Sequence, residues 1–151
     1  MIPEFQRLTI PEFTAVVRLL PLSGILKVSS NNFVYLDVDD RYIHQLFPLL
    51  HATNAKMPDY FGENGVGAHI TVVYPEEDRK IRKNDIGQLH HFQIKDFLAI
   101  DIGEKKYYAV FIEASSLVQL RKKYLLPDLL NFKGCSVGFH VTVGVIDGCV
   151  S

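Results

Sequence analysis

The chain has 151 residues, of which 48% are hydrophobic and 22% charged, and its formal net charge is −1. This composition is typical of a globular protein with a hydrophobic core. Proteins that coat long nucleic acids have a strong basic excess, and the net charge excludes that class. No apolar run reaches the roughly 18 to 20 residues of a membrane span, and charges and prolines interrupt the start, where a signal peptide would be apolar. We therefore expect a cytoplasmic monomer without membrane contact, whose ligand, if anionic, is small or short.

Residues 1–30 are predicted to form an N-terminal extension. The sequence from Thr9 to Glu12 combines a capping threonine, an early proline and a glutamate three residues later, which predicts the start of a helix. This helix should end at Pro21. A short strand is then predicted over residues 25–29, followed by a turn in the polar segment 29–32.

The next segment predicts a strand, a helix and a loop before a first histidine motif. Residues 33–39 alternate in the manner of a strand, and Asp39 or Asp40 can begin a helix that Pro48 should kink or end early. The glycine-rich segment 60–67 is predicted to be a flexible loop that can border a groove. It leads to the sequence His69-Ile70-Thr71 in an apolar run.

The second half repeats this order. After a charged segment, strands are predicted over residues 90–102 and 107–114, with a hairpin turn between them. Ser116 and Gln119 form the pattern of a capping box for a helix that Pro127 ends. Residues 128–134 connect this helix to a second motif, His140-Val141-Thr142.

The repeated order predicts an internal duplication in an α+β protein. Two β-α-β lobes related by a pseudo-two-fold axis should form one bilobal domain over residues 31–151. The first lobe covers roughly residues 31–80 and the second roughly 88–151, and strands can be exchanged between the lobes.

Each motif places a histidine and a threonine on the same face of a strand. Side chains alternate between the two faces, so that His69 and Thr71 lie opposite the apolar Ile70, and the second motif behaves in the same way. With six histidines and five threonines in the chain, only about 0.2 such matches are expected by chance. The alternative is a pair of structural histidines that the neighbouring threonines satisfy.

Two histidines at one cleft are suited to phosphodiester cleavage. Near neutral pH one imidazole can accept a proton from the nucleophile while the other donates a proton to the leaving oxygen. The threonine hydroxyls can donate hydrogen bonds to the phosphate oxygens. The chain has no carboxylate-rich metal motif, and the spacing of Cys135 and Cys149 fits neither a zinc site nor a redox pair. We therefore expect no cofactor and no metal.

The two motifs resemble those of the two-histidine (2H) phosphoesterase superfamily. This superfamily includes the bacterial RNA 2′,3′-cyclic phosphodiesterases, also called 2′-5′ RNA ligases, and enzymes that degrade 2′,5′-linked or cyclic oligonucleotides. The resemblance covers roughly Phe33 to Ile146 and implies a bilobal fold with a central groove. It also implies that the two histidines are the acid and base and that the two threonines bind phosphate. The implied catalytic residues are His69, Thr71, His140 and Thr142.

The function predicted from these features is a metal-independent phosphodiesterase that acts on a small cyclic nucleotide or a short oligonucleotide. The sequence leaves open which histidine is the acid. One alternative is a non-catalytic nucleotide-binding or RNA-binding module on the same fold. Another is a structural domain that contacts a protein partner through its N-terminal helix.

Other candidate residues are interpreted as structural. We expect His44, His51 and the adjacent pair at 90–91 to be unrelated to the site, because no partner spacing supports a metal site. The basic segments 79–83 and 121–123 are expected to be solvated. Three aromatic residues could stack on a nucleobase, although core packing is the preferred interpretation for most of them: Tyr107, Tyr108 and Phe139.

Overall fold

A computed structural model describes residues 3–62 and 65–147 of the chain. The strands in these ranges are β1 (Glu4–Arg7), β2 (Ser23–Val28), β3 (Val34–Asp37), β4 (His69–Val73), β5 (Leu89–His91), β6 (Gln93–Ile102), β7 (Lys105–Glu113), β8 (Leu130–Phe132), β9 (Cys135–Val137) and β10 (His140–Ile146). The α-helices are α1 (Pro11–Val17), α2 (Arg41–His44) and α3 (Ser115–Lys123). The fold therefore mixes helix and sheet, as predicted, with strands predominating. None of the described helices is long and apolar enough to cross a membrane.

Eight strands form one antiparallel sheet in the order β1-β6-β7-β10-β4-β3-β2-β5. The two strands that begin with the motif histidines, β4 and β10, are neighbours in the middle of this sheet. Outward from the centre, β7 and β6 follow β10 on one side, and β3 and β2 follow β4 on the other. Each side is thus built from two strands, a helix and a motif strand in chain order. The duplication of two lobes stays a prediction, and the sheet order is compatible with it.

The first 30 residues contribute strands to the same sheet. β1 pairs with β6, with Phe5 opposite Ile100, and β2 pairs with both β3 and β5. In α1, Phe13 is buried, and its ring packs edge-on against Phe97 at 5.1 Å. The predicted division into an extension and a bilobal domain stays a prediction.

The hydrophobic core lies on the sheet face opposite the motif histidines. Ile70 and Val72 of β4 and Val141 and Val143 of β10 are at most 1% exposed. Helix α2 contacts β10, and α3 contacts β4, so that the two helices together cover the central pair of strands. Burying an aliphatic side chain of this size contributes about 1.5–3 kcal/mol. This contribution keeps the apolar residues of both motif strands on the core face, and therefore the histidines and threonines on the other face.

The helix starts differ from the prediction. The residue that caps α1 is Ile10 rather than Thr9, and the residue that caps α3 is Ala114 rather than Ser116. The hydroxyl of Ser116 instead forms a hydrogen bond with Nδ1 of His90, at 2.8 Å. Competition from a partner distant in sequence explains why the predicted capping box is absent.

Three further local features can be compared with their predictions. Helix α2 ends at His44, and a 3-10 turn over Phe47–Leu50 contains Pro48, which confirms the predicted early end. Where a simple connection was predicted over residues 128–134, the structure has β8, which forms a hairpin with β9. The prediction of a solvated segment 121–123 was wrong for Arg121, which is fully buried.

Arg121 ties α3 to the motif strand β4. Its guanidinium donates hydrogen bonds to the carbonyl oxygen of Val72 at 2.8 Å and to both carboxylate oxygens of Glu77 at 3.0 and 2.7 Å. Two further bonds reach the carbonyl oxygens of Pro127 and Leu129. A buried ion pair persists only when its remaining polar atoms are also satisfied, and this guanidinium meets that condition.

Candidate active site

A cavity of about 320 Å³ opens on the sheet face where β4 and β10 meet. All four residues singled out in the two motifs line it: His69, Thr71, His140 and Thr142. Each is at most 9% exposed, which is low for polar side chains that face a cavity. The two motifs, distant in sequence, are therefore brought together at one site.

The strand register arranges the two motifs diagonally. Val141 of β10 pairs with Ile70 of β4 in an antiparallel ladder. Counting one residue along each strand in opposite directions places His69 across from Thr142, and the other histidine across from the other threonine. The two histidines are then diagonal neighbours, and the Cα atoms of such residues are typically about 7–8 Å apart in an antiparallel sheet. Both imidazoles thus lie on the same cavity.

The backbone fixes the orientation of both imidazoles in the same way. Nδ1 of His69 donates a hydrogen bond to the carbonyl oxygen of Gly67, and Nδ1 of His140 to that of Gly138, each at 2.8 Å. Because a carbonyl oxygen only accepts, Nδ1 carries the proton, and Nε2 remains available for proton transfer. The motif histidines are thus satisfied by glycine carbonyls and not by the neighbouring threonines.

The peptide group behind His69 is itself held by a carboxylate. Oδ1 of Asp40 accepts a hydrogen bond from the Ala68 N–H at 2.9 Å, and this N–H belongs to the same peptide as the Gly67 carbonyl. Gly67 has a φ of +69°, and a Cβ there would lie 2.6 Å from Asp40 Oδ1. A residue with a side chain would therefore disturb the group that orients His69.

Burial lowers the pKa of both histidines. The pKa of His140 falls to about 4, chiefly through burial and to a lesser degree through the nearby charge of His69. The pKa of His69 is also lowered by burial, while its bond to Gly67 and the charge of Asp37 act in the opposite direction. Asp37 lies directly across from His69 in the β3–β4 pairing. Both imidazoles are therefore neutral near pH 7 in the free protein, and His140 resists protonation more strongly.

A model of a known family matches residues 34–150, and its description is "Swiss Army Knife, 2H phosphoesterase domain". The chain belongs to this 2H phosphoesterase family. None of the curated proteins and none of the solved structures gives a significant match. The predicted superfamily is confirmed, whereas the closer likeness to RNA 2′,3′-cyclic phosphodiesterases stays a prediction.

Two tyrosines that the sequence reasoning missed line the cavity of this 2H phosphoesterase. Tyr60 lies beside Thr142, and Tyr74 lies beside Thr71, so that each threonine has a phenol as its neighbour. Burial raises the pKa of both tyrosines, and the hydrogen-bonding contact with the threonine acts against it. The phenols are therefore neutral hydrogen-bond donors. Tyr60 comes from the glycine-rich loop segment and Tyr74 directly follows β4, and nothing in their local sequence marks them.

Aromatic rings surround the two histidines. The centroid of the His69 ring lies 4.6 Å from that of Tyr60 and 5.6 Å from that of Phe33. The ring of His140 lies 5.0 Å from that of Phe111, in a tilted arrangement. These walls limit the access of water to the imidazoles and explain the lowered histidine pKa values.

A second aromatic group also lines the cavity. Tyr107 and Phe132 both line it, with ring centroids 6.0 Å apart, and Tyr74 stacks on Phe132 at 4.8 Å. Of the three residues considered for base stacking, Tyr107 therefore lines the cavity, while Phe139 is buried in the core. Tyr108 is not among the described residues that line it.

The remaining histidines of this 2H phosphoesterase lie outside the cavity. His90 is buried against Ser116, and the ring of His44 packs on Phe61 at 4.4 Å. Among the described residues, no cluster of three or more histidine, cysteine, aspartate or glutamate side chains could hold a metal ion. Cys135 is a free, buried thiol, and Cys149 lies outside the described residues.

Proposed function

We propose that the chain is a metal-independent phosphodiesterase that cleaves a small cyclic nucleotide or a short 2′,5′-linked or cyclic oligonucleotide. Membership of the 2H phosphoesterase family supports phosphoesterase chemistry. The observation that carries the proposal is the diagonal arrangement of two histidines and two threonines around one cavity. That arrangement offers a proton acceptor and a proton donor on opposite sides of a bound phosphate.

The reaction needs one neutral and one cationic imidazole. Nε2 of the neutral ring takes the proton from water or from a ribose 2′-hydroxyl, and the resulting oxygen attacks phosphorus. The cationic ring donates its Nε2 proton to the leaving oxygen as its bond to phosphorus breaks. The substrate phosphate supplies the negative charge that favours protonation of one ring.

We assign the base to His140 and the acid to His69. Burial disfavours the cationic form of His140 most strongly, which keeps this ring ready to accept a proton. His69 faces Asp37 across the strand pair, and the negative charge of that carboxylate favours the cationic ring. Two titratable groups whose environments differ in this way are expected to divide the acid and base roles.

Four hydroxyl groups are suited to hold the phosphate oxygens. The hydroxyls of Thr71 and Thr142 lie across from the histidines, and those of Tyr60 and Tyr74 lie beside the threonines. In a cavity with limited water, donors aimed at the non-bridging oxygens stabilise the charge of the transition state. Because these hydroxyls are neutral, they bind the phosphate less tightly than cations would, so that the product can be released after each turnover.

The proposal is tested by incubating the full chain with nucleoside 2′,3′-cyclic phosphates, 2′,5′-linked dinucleotides and cyclic oligonucleotides, with and without EDTA. Product masses and phosphate positions identify the bond that is cleaved. We expect turnover in EDTA, and a loss of at least about 100-fold in His69→Asn and His140→Asn. Asparagine retains a donor for the glycine carbonyl but lacks Nε2.

The control variant is His51→Asn, which changes an exposed histidine outside the cavity lining. Full turnover in either motif variant would contradict the two-histidine mechanism. Tight nucleotide binding without any product would instead identify a non-catalytic binding module. A protein that neither cleaves nor is stabilised by any nucleotide would favour the structural domain.

A further inference from the structure

The cavity around the two histidines offers many hydroxyl groups and little charge. Five lining residues carry hydroxyls: Thr71, Thr142, Tyr60, Tyr74 and Tyr107. Most other side chains in the lining are apolar, among them Val66, Ile100 and Ile102. Of the described residues that line it, Asp59 is the acidic one, and none is a lysine or an arginine. The residues outside the described ranges include no lysine or arginine either.

Two lysines near the lining residues have other partners. The Lys133 ammonium lies over the ring of Phe132, 5.1 Å from its centroid. The Lys27 ammonium forms an ion pair with Asp37 at 2.8 Å. By contrast, Asp59 is exposed and belongs to no ion pair in the part of the chain that the structure describes. The rim of the cavity near Tyr60 is therefore negative, not positive.

We infer that the substrate carries a single phosphodiester with one negative charge, and that Asp59 selects against a second phosphate. This inference rests on the proposed function, since it concerns the substrate of the same site. When a bound phosphate favours protonation of one ring, the two imidazoles together carry about one positive charge, which balances one phosphodiester. A second phosphate would enter a partly desolvated space without a cationic partner, and the Asp59 carboxylate would repel it.

This charge rule narrows the possible substrates. A nucleoside 2′,3′-cyclic phosphate or a dinucleoside monophosphate has one negative charge and aromatic bases that the rings of Phe33 and Tyr107 can contact. A longer oligonucleotide, or a nucleotide with an additional terminal phosphate, carries at least one charge that the described lining does not balance.

The test compares two compounds that differ only in one phosphate: adenosine 2′,3′-cyclic phosphate and its 5′-phosphorylated form. We expect the additional phosphate to lower kcat/KM by at least about tenfold in the full-length wild-type protein. Binding of both compounds is measured in parallel by calorimetry with the His140→Asn variant, which separates recognition from cleavage.

Two variants test whether the Asp59 carboxylate causes the preference between the two compounds. Asp59→Asn removes the carboxylate charge with little change in shape, and we expect it to reduce the preference for the compound without the 5′-phosphate by at least about threefold. Asp128→Asn is the matched control: it removes the same charge from an exposed carboxylate outside the cavity lining, and it should leave the preference unchanged.

The outcomes separate this inference from the proposed function. If both compounds are cleaved equally well, or if the 5′-phosphorylated one is preferred, the charge rule is wrong while the phosphodiesterase proposal stands. If neither is cleaved but the singly charged compound binds at least tenfold more tightly, the charge rule is supported and the catalytic proposal fails for this substrate. If neither compound binds, or if Asp59→Asn leaves the preference intact, the inference is overturned.

Discussion

The low pKa of His140 predicts a measurable dependence of stability on pH. The ordinary histidine pKa is 6.5, and burial in the folded protein lowers that of His140 to about 4. Between these values the unfolded chain binds a proton that the folded protein does not. The free energy of unfolding must therefore fall as the pH decreases from about 6.5 to about 4.

The size of this effect follows from the two pKa values. Each pKa unit corresponds to about 1.4 kcal/mol, so that the full range from 6.5 to 4 corresponds to about 3 kcal/mol. This is a large part of the roughly 5–15 kcal/mol that stabilises a typical domain. His140→Asn removes the titrating ring and keeps a donor for the Gly138 carbonyl.

Urea unfolding followed by circular dichroism measures the effect, because the chain has no tryptophan for fluorescence. We expect the wild type to lose about 3 kcal/mol more than His140→Asn between pH 7 and pH 4. His69 and His90 remain in both proteins, and burial lowers the pKa of each, so that some pH dependence persists in the variant. An identical pH dependence in the two proteins would refute the argument that His140 is held neutral by burial.

Three other changes have expected outcomes. Thr142→Val should lower kcat by about 10- to 100-fold with little change in KM, because a hydroxyl directed at the phosphate acts mainly in the transition state. Thr142→Ser keeps the hydroxyl and should retain most of the rate. An equal loss of kcat in both variants, measured by steady-state kinetics, would show that packing alone matters. Arg121→Met should destabilise the fold by about 3–5 kcal/mol in urea unfolding, because it leaves the carboxylate of Glu77 buried without its partner. Adding Glu77→Gln removes that unpaired charge and should recover part of the lost stability. If the double variant recovers none, the buried charge is not the cause of the loss. Gly67→Ala should lower both the free energy of unfolding and kcat, because a Cβ at this positive φ would meet Asp40 and displace the carbonyl that holds His69. If this variant keeps the wild-type kinetics, the Gly67 carbonyl does not position the ring.

Parts of the fold could be predicted because they depend on short stretches of sequence. The alternation in β4 and β10 predicts which side chains share a face, and the cavity confirms it, because the motif histidines and threonines line it whereas Ile70 and Val141 do not. Pro48 ends a helix by removing a backbone donor, which is a local effect. The capping of α3 was predicted wrongly because Ser116 bonds to His90, a residue 26 positions away.

The shortest strands show the same limit. β1 is a short segment whose four residues are all exposed, so that no alternation of burial marks it as a strand. Its pairing with β6 supplies the partner that its backbone needs. The β8–β9 hairpin is likewise two strands of three residues joined by a turn in which Lys133 and Gly134 have positive φ. Such short elements depend on what they pack against rather than on a periodic pattern.

The sequence by itself determined that two histidine motifs of the same form lie on apolar strands and that each histidine shares a face with its threonine. Only the tertiary structure decided that the motif strands are adjacent and antiparallel, and therefore that each histidine faces the threonine of the other motif. It also decided that Tyr60 and Tyr74 join the site and that His140 is held neutral. The physical reason is that side-chain alternation is a property of one strand, whereas register and burial depend on contacts between segments distant in sequence.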